Sequence, residues 1–143
     1  MEKLLMNYQN EIKKIWLLVE SSSLVMRMGT KLENKGYRVK QVLSEGGPVK
    51  VILEKIESFN PEVVLLQAEH PGIDTFELGR QLKTSHRLKP VPLIIFGKEN
   101  HPQNAVKAYR AGAEYYVALP GENYLCLLNL VEKLAGRSQD STG

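Results

Sequence analysis

A run of consecutive apolar residues, Val63 to Leu66, ends at Gln67 and constrains the fold of this 143-residue chain more than any other feature. Because the run does not alternate with polar residues, it predicts a strand that helices cover on both faces. In open α/β sheets, ligands bind where such strands end at their carboxyl side. Gln67 therefore stands where chemistry is expected, yet an amide is neither a nucleophile nor a metal-binding carboxylate. The position predicts an empty or repurposed site.

Length and composition predict one domain with an ordinary apolar core, since 43% of the 143 residues are hydrophobic and 24% are charged. The net charge is +3 and the basic residues are scattered, which disfavours direct nucleic-acid binding and a membrane surface as partner. The single cysteine, Cys126, excludes an internal disulfide and a cysteine-based metal cage. With no signal peptide and no long apolar run, we expect a cytoplasmic protein.

Strand and helix patterns alternate along the chain. Strands are predicted at residues 14–19, 37–43, 63–67, 92–96 and 115–118, and helices at 24–35, 49–59, 76–84, 105–111 and from Asn123 to about 134. This alternation predicts parallel strands in a doubly wound, three-layer α/β/α fold, with the flavodoxin-like strand order 2-1-3-4-5. A half Rossmann domain is the competing topology, but the first turn lacks the Gly-x-Gly-x-x-Gly phosphate cradle.

The two ends of the chain are predicted to lie outside this domain, which spans residues 14–135. Residues 1–13 place apolar side chains on one helical face and predict a helical N-terminal extension. The last helix is expected to stop at Gly136, so residues 136–143 are predicted to be a linker or tail.

Several positions keep a fixed spacing from Gln67. Pro71 follows it by four residues, Asp74 by seven and Gly97 by thirty, and Leu119, which precedes a proline, follows it by 52. Together with Glu20-Ser21 after the first strand, this pattern resembles the receiver domain of bacterial-type two-component response regulators, the CheY-like superfamily. The resemblance covers roughly Lys14 to Leu134.

The resemblance implies phosphorelay signalling and a pocket whose chemical groups have been replaced. Gln67 falls on the phosphoacceptor aspartate, and Glu20 and Ser21 fall on the acidic pair that helps to hold magnesium. Gly97 takes the place of the switch serine or threonine, and Leu119 that of the lysine. The expected protein is a degenerate pseudo-receiver that is not an enzyme, has no catalytic residue and no cofactor, keeps only a vestigial metal site, and works independently of phosphorylation.

Alternatives remain for the chemistry of this pocket. Glu69 or Asp74 accepts a phosphoryl group in place of Gln67, or the domain binds a small molecule, although a phosphate-cradling glycine loop is not evident. Lys98 either replaces the missing ammonium group or is an exposed loop lysine. Glu20 either keeps a residual cation site or is a solvated or capping residue.

The resemblance also identifies two conformational positions. Tyr116 matches the switch aromatic residue, and because Gly97 leaves space opposite, we expect its ring to be held in one inward position. Pro120 matches the position of a cis peptide bond, so a cis Leu119–Pro120 bond is predicted. The three histidines, His70, His86 and His101, are expected to be solvated rather than to form a metal site.

A partner surface is predicted on the fourth helix, fifth strand and fifth helix, through which receiver domains commonly pair or dock. Its candidate residues are Val106, Tyr109, Tyr115 and Tyr124. The resemblance implies a protein partner, an attached output domain or a homodimer through this face. The alternative is that the tyrosines only cover the edge of the sheet.

Overall fold

The computed structural model describes residues 12–20, 23–42, 47–98 and 101–140. Within these residues, five parallel strands form one sheet in the order β2-β1-β3-β4-β5, which confirms the predicted topology. The strands are β1 Lys14–Leu18, β2 Arg38–Val42, β3 Val63–Gln67, β4 Leu93–Lys98 and β5 Tyr115–Leu119; the helices are α1 Arg27–Asn34, α2 Val49–Phe59, α3 Thr75–Thr84, α4 Pro102–Ala111 and α5 Leu125–Asp140. Short 3-10 turns, Leu24–Met26 and Pro120–Glu122, precede α1 and follow β5.

Two apolar clusters hold the three layers together. Alternate residues of each central strand point to opposite faces, so Val63 and Leu65 of β3 pack with α1 and α5, whereas Val64 and Leu66 pack with α2, α3 and α4. All five residues of β3 are buried, which explains why the sequence of this strand does not alternate. Burying each such aliphatic side chain contributes about 1.5–3 kcal/mol.

Local signals set most of the helix boundaries. The side chains of Ser23, Asp74 and Asn123 accept hydrogen bonds from the backbone amides of the turns or helices that they precede. Asn60, at the end of α2, has a left-handed φ of 55° and Gly112, at the end of α4, has a φ of 105°. Pro102 is the first residue of α4, three residues earlier than predicted, because its fixed φ suits that position.

The predicted end of the last helix at Gly136 is wrong, because α5 continues to Asp140. Gly136 is not among the glycines with a positive φ, and a glycine ends a helix through that conformation rather than by its identity alone. Residues 136–140 of the predicted tail are therefore helical. The predictions for residues 1–11, 21–22, 43–46 and 141–143 lie outside the described residues. Over the described ranges, no helix is long and apolar enough to cross a membrane.

The predicted cis Leu119–Pro120 bond is also wrong, since every described peptide bond is trans. Trans is the favoured form of an X-Pro bond by about 0.5–1 kcal/mol. Here Pro120 is the first residue of the 3-10 turn that follows β5, where its fixed φ is already suitable.

Candidate functional site

The carboxyl ends of β3, β4 and β5 and the turn that follows β1 lie close together and form a pocket. This arrangement follows from the strand order, which places β3 between β1 and β4. The pocket brings together five of the positions named from the sequence, which are Gln67, Glu69, Gly97, Lys98 and Leu119. Its lining residues are Ser23, Val25, Gln67, Glu69, Phe96, Gly97, Lys98 and Leu119.

Gln67 is buried and joins three segments at the centre of this edge. Its side-chain Oε1 accepts a hydrogen bond of 2.6 Å from the backbone amide of Glu20, which follows β1. Its backbone carbonyl accepts a hydrogen bond of 2.8 Å from the hydroxyl of Thr75, the buried first residue of α3. The amide of Gln67 therefore has a structural role in which its acceptor atom is already used.

The pocket wall contributed by β5 is apolar. Leu119 is 4% exposed and belongs to the same core cluster as Val25 and Phe96. Its side chain offers neither charge nor hydrogen-bond donors to a ligand. Ser23, which also lines the pocket, uses its Oγ to accept a hydrogen bond of 3.1 Å from the amide of Val25.

Gly97 is enclosed by two polar side chains. A Cβ atom at this position would lie 2.6 Å from Oε2 of Glu69 and closer still to the hydroxyl of Tyr116. Both side chains therefore occupy the space that a serine or threonine side chain would fill. The ring of Tyr116 packs with the second apolar cluster, and its hydroxyl is buried. The ring is therefore inward in this structure, and its being held in that one position stays a prediction.

Glu69 makes the main polar contacts of the pocket. Its Oε2 accepts hydrogen bonds of 3.0 Å from the backbone amide of Lys98 and of 3.0 Å from the side-chain amide of Asn104 in the first turn of α4. Among the described residues, neither Oε1 of Glu69 nor the hydroxyl of Tyr116 has a hydrogen-bond partner, and both atoms are buried. Lys98 itself is exposed and contributes its backbone amide to the site.

Burial raises the pKa of the Tyr116 hydroxyl. The nearby Asn104 side chain acts in the opposite direction, although no hydrogen bond of regular geometry joins the two groups, and the negative charge of Glu69 adds to the rise. Tyr116 therefore stays protonated at neutral pH. A neutral hydroxyl tolerates the buried position, whereas a phenolate beside Glu69 would be strongly disfavoured.

The described residues contain no group of three or more His, Cys, Asp or Glu side chains that would hold a metal ion. Of the predicted acidic pair, Glu20 is half-buried, and Ser21 lies outside the described residues. Asp74 caps α3 by accepting a hydrogen bond of 3.1 Å from the amide of Glu77. The carboxylate of Asp74 therefore supports a helix.

The prediction that all three histidines are solvated is wrong for His70. His86 and His101 are exposed, but His70 is 6% exposed and its Nδ1 accepts a hydrogen bond of 3.2 Å from the amide of Gly72. A ring nitrogen can accept such a bond only in the neutral form. The imidazole thus closes the turn between β3 and α3, a role that spacing in the sequence does not reveal.

The candidate partner residues divide into two groups. Val106, Tyr109 and Tyr115 are 51%, 54% and 36% exposed, whereas Tyr124 is half-buried and packs against the first apolar cluster. The hydroxyl of Tyr109 also accepts a hydrogen bond of 3.2 Å from the amide of Tyr116 on the free side of β5. Tyr109 therefore covers part of the sheet edge while its ring remains exposed.

Sequence reasoning missed the roles of Glu69, Asn104 and Thr75. Glu69 was considered only as a phosphoacceptor, and neither of the other two stood out. The sequence offers one indication of the role of Glu69, which is a carboxylate two residues after a buried strand, close to the glycine near the end of the next strand. Its hydrogen-bond partners depend on how the loops fold back and have no signature in spacing.

Known proteins resemble this chain in sequence and in fold, although no family model matches it. PilH of Pseudomonas aeruginosa is 28% identical over 123 residues, which are 86% of this chain and 98% of PilH. The response regulator protein GraR of Staphylococcus aureus is 25% identical over 107 residues, which are 75% of this chain and 45% of GraR. A putative response regulator from Chloroflexus aurantiacus superposes with a TM-score of 0.70 at 20% identity, covering 87% of this chain and 98% of that one. The structural match shows the CheY-like flavodoxin fold, and the matches together strongly support a response regulator receiver domain.

Proposed function

We propose that this receiver-type domain signals by protein contact without accepting a phosphoryl group. The observation that carries the proposal is the hydrogen bond that Oε1 of Gln67 accepts from the backbone amide of Glu20. By its spacing in the sequence, Gln67 matches the phosphoacceptor aspartate of receiver domains. A carboxamide cannot attack phosphorus to form an acyl phosphate. The domain is accordingly a binding module rather than an enzyme.

The surroundings of Gln67 support the same conclusion. A phosphoryl group carries about two negative charges that need cations and hydrogen-bond donors. Leu119 supplies neither, and Gly97 has no hydroxyl. The backbone amide of Lys98, which points to the pocket, is already bonded to Glu69. Among the described lining residues, the donors that remain are too few to stabilise an added anion.

The partner surface that we propose consists of the exposed residues Val106, Tyr109 and Tyr115, on α4 and β5. Tyrosine is enriched at protein contact surfaces, and the exposed valine beside the two tyrosines adds apolar area to the same patch. The occupant is a protein partner, an attached output domain or a second copy of this chain. This chain spans 45% of GraR, and an attached output domain remains part of the proposal.

The two alternative functions have less support. Asp74 caps α3, and Oε2 of Glu69 accepts two hydrogen bonds, so each carboxylate would have to leave its partners before it attacked phosphorus. For small-molecule binding, the pocket offers no glycine-rich phosphate cradle among its lining residues.

Titration with beryllofluoride and magnesium, followed by amide NMR, tests the proposal on the whole chain. Beryllofluoride mimics a phosphoryl group on a carboxylate, so we expect the signals of Gly97 and Lys98 to stay in place. Fluoride and magnesium without beryllium serve as the control. Saturable shifts of these amides with beryllofluoride alone would contradict the proposal and favour Glu69 or Asp74 as acceptor.

A further inference from the structure

The carboxylate of Glu69 connects three segments that are far apart in the sequence. Glu69 lies in the turn after β3, Lys98 ends β4, and Asn104 lies in the first turn of α4. One oxygen, Oε2, accepts hydrogen bonds of 3.0 Å from both the Lys98 amide and the Asn104 side chain. Hydrogen bonds to an ionised group are roughly twice as strong as neutral ones, so these two bonds hold the end of β4 and the first turn of α4 to Glu69 more firmly than neutral bonds would.

The hydroxyl of Tyr116 does not anchor the ring by a hydrogen bond of regular geometry to the described residues. Its hydroxyl is buried and has no partner within the described residues. A Cβ atom at Gly97 would touch both this hydroxyl and Oε2 of Glu69, so both groups lie in the space that a side chain at position 97 would fill. Within the described residues, the ring is therefore kept inward by the shape of this space, which Glu69 and Asn104 close.

Burial of the carboxylate has a cost that these contacts offset. Oε1 of Glu69 is buried with no hydrogen-bond partner among the described residues, and a buried, unpaired carboxylate oxygen is unfavourable. The side chain nevertheless points inward instead of turning to solvent. The two bonds of Oε2 are the contacts that favour this orientation.

We infer that Glu69 is a resident anion that permanently latches the pocket. It uses the donors of β4 and α4, fixes the first turn of α4 against the end of β4, and closes the space that holds Tyr116 inward. A charge within the chain therefore keeps the α4 and β5 surface, which carries Val106 and Tyr115, in one arrangement. The importance of this arrangement for signalling rests on the proposed function, in which that surface binds the partner.

Glu69→Ala in the full chain tests the latch, with Glu54→Ala, at an exposed carboxylate of α2, as the matched control. Hydrogen exchange of the Lys98 amide and fluorine NMR of fluorotyrosine-labelled protein are measured, and the Tyr116 signal is assigned with Tyr116→Phe. We expect Glu69→Ala to speed exchange of the Lys98 amide by about tenfold or more and to split the Tyr116 signal. Glu54→Ala should do neither. Unchanged exchange or a single Tyr116 signal would overturn the inference.

Two further variants keep the test decisive. Glu69→Gln retains a carbonyl acceptor but not the charge, so the exchange rate of its Lys98 amide should lie between those of wild type and Glu69→Ala. A wild-type rate in Glu69→Gln would overturn the role of the charge. If Glu69→Ala does not fold, Asn104→Ala removes only the α4 donor and should split the Tyr116 signal while Lys98 stays protected; a single signal there would also overturn the latch. These measurements need no phosphoryl mimic, so they fail or succeed separately from the beryllofluoride titration.

Discussion

Gly97 is the residue of the pocket whose neighbours leave the least room for a side chain. A Cβ atom there would contact both Glu69 and the hydroxyl of Tyr116. We expect Gly97→Ala to lower the free energy of unfolding by about 1–3 kcal/mol, because one of these side chains must move. Urea denaturation measures the change.

Gly136→Ala is the matched control for this substitution. Gly136 lies within α5 and a Cβ atom there would meet no atom within 4 Å. Alanine favours a helix over glycine by about 1 kcal/mol, so this variant should be stabilised. Equal effects of the two substitutions would contradict the crowding at Gly97.

Tyr116 gives the protein an expected dependence on alkaline pH. Its pKa is raised above the ordinary value of 10.0, mainly by burial. Its contribution to stability is fully present below pH 10.0, where both folded and unfolded states keep the proton, and is lost as the pH rises through the folded pKa. The unfolding free energy of wild type should therefore fall more steeply above that pH than that of Tyr116→Phe.

Denaturation from about pH 9 to about pH 12 measures this difference. Tyr115→Phe, at a more exposed tyrosine on the same strand, is the control and should follow wild type. Parallel curves for wild type and Tyr116→Phe would show that the Tyr116 hydroxyl is not desolvated in solution.

At the scale of single residues, the sequence was informative where identity alone decides chemistry. Whatever the fold, the amide of Gln67 cannot form an acyl phosphate, Leu119 cannot supply a positive charge and Gly97 cannot supply a hydroxyl group. The latch of Glu69 and the burial of His70 were not predictable, because both depend on how the turn after β3 folds back. Loop geometry of this kind has no hydrophobic period to indicate it.

At the scale of elements, hydrophobic periodicity predicted the five strands and five helices, including α2 and β3 with their observed bounds. The predictions that were wrong concern the ends of elements. α5 runs past Gly136 because the glycine keeps a helical backbone, and the Leu119–Pro120 bond is trans because Pro120 begins a 3-10 turn. In both cases the same residue type is compatible with two backbone conformations, and only the surrounding contacts select one.

The exposed surface of α4 and β5 is the element whose role in protein contact a single substitution tests. Val106→Glu places a charge among the exposed apolar residues of α4, so we expect association with a partner or a second copy to weaken at least tenfold, which is about 1.4 kcal/mol. Stability should change by less than about 0.5 kcal/mol, because Val106 is 51% exposed. Sedimentation over a range of concentrations measures self-association.

Val51→Glu is the control, since Val51 is a 44% exposed valine on α2. It should associate as wild type does. If wild type self-associates and Val106→Glu matches it, the surface is not the contact face, and a wild-type monomer at every concentration would contradict the homodimer.

At the scale of the whole molecule, the fold does not depend on the chemistry of the pocket. The two apolar clusters on the faces of the sheet supply the core, and the pocket lies at the edge of the first cluster, which contributes Val25, Phe96 and Leu119 to its lining. Leu119 adds its apolar side chain to that core, whereas Gln67 and Gly97 belong to neither cluster. This separation of core and site explains how a receiver fold persists with an amide and a leucine in its pocket.

Intact mass spectrometry after incubation with acetyl phosphate and magnesium tests most directly our proposal that this pocket does not accept a phosphoryl group. Wild type and Gln67→Asp are measured side by side. We predict no phosphoryl adduct on either protein, because the aspartate restores the nucleophile while Leu119 and Gly97 still offer no cation or hydroxyl. An adduct on wild type, or efficient labelling of Gln67→Asp, would contradict the claim.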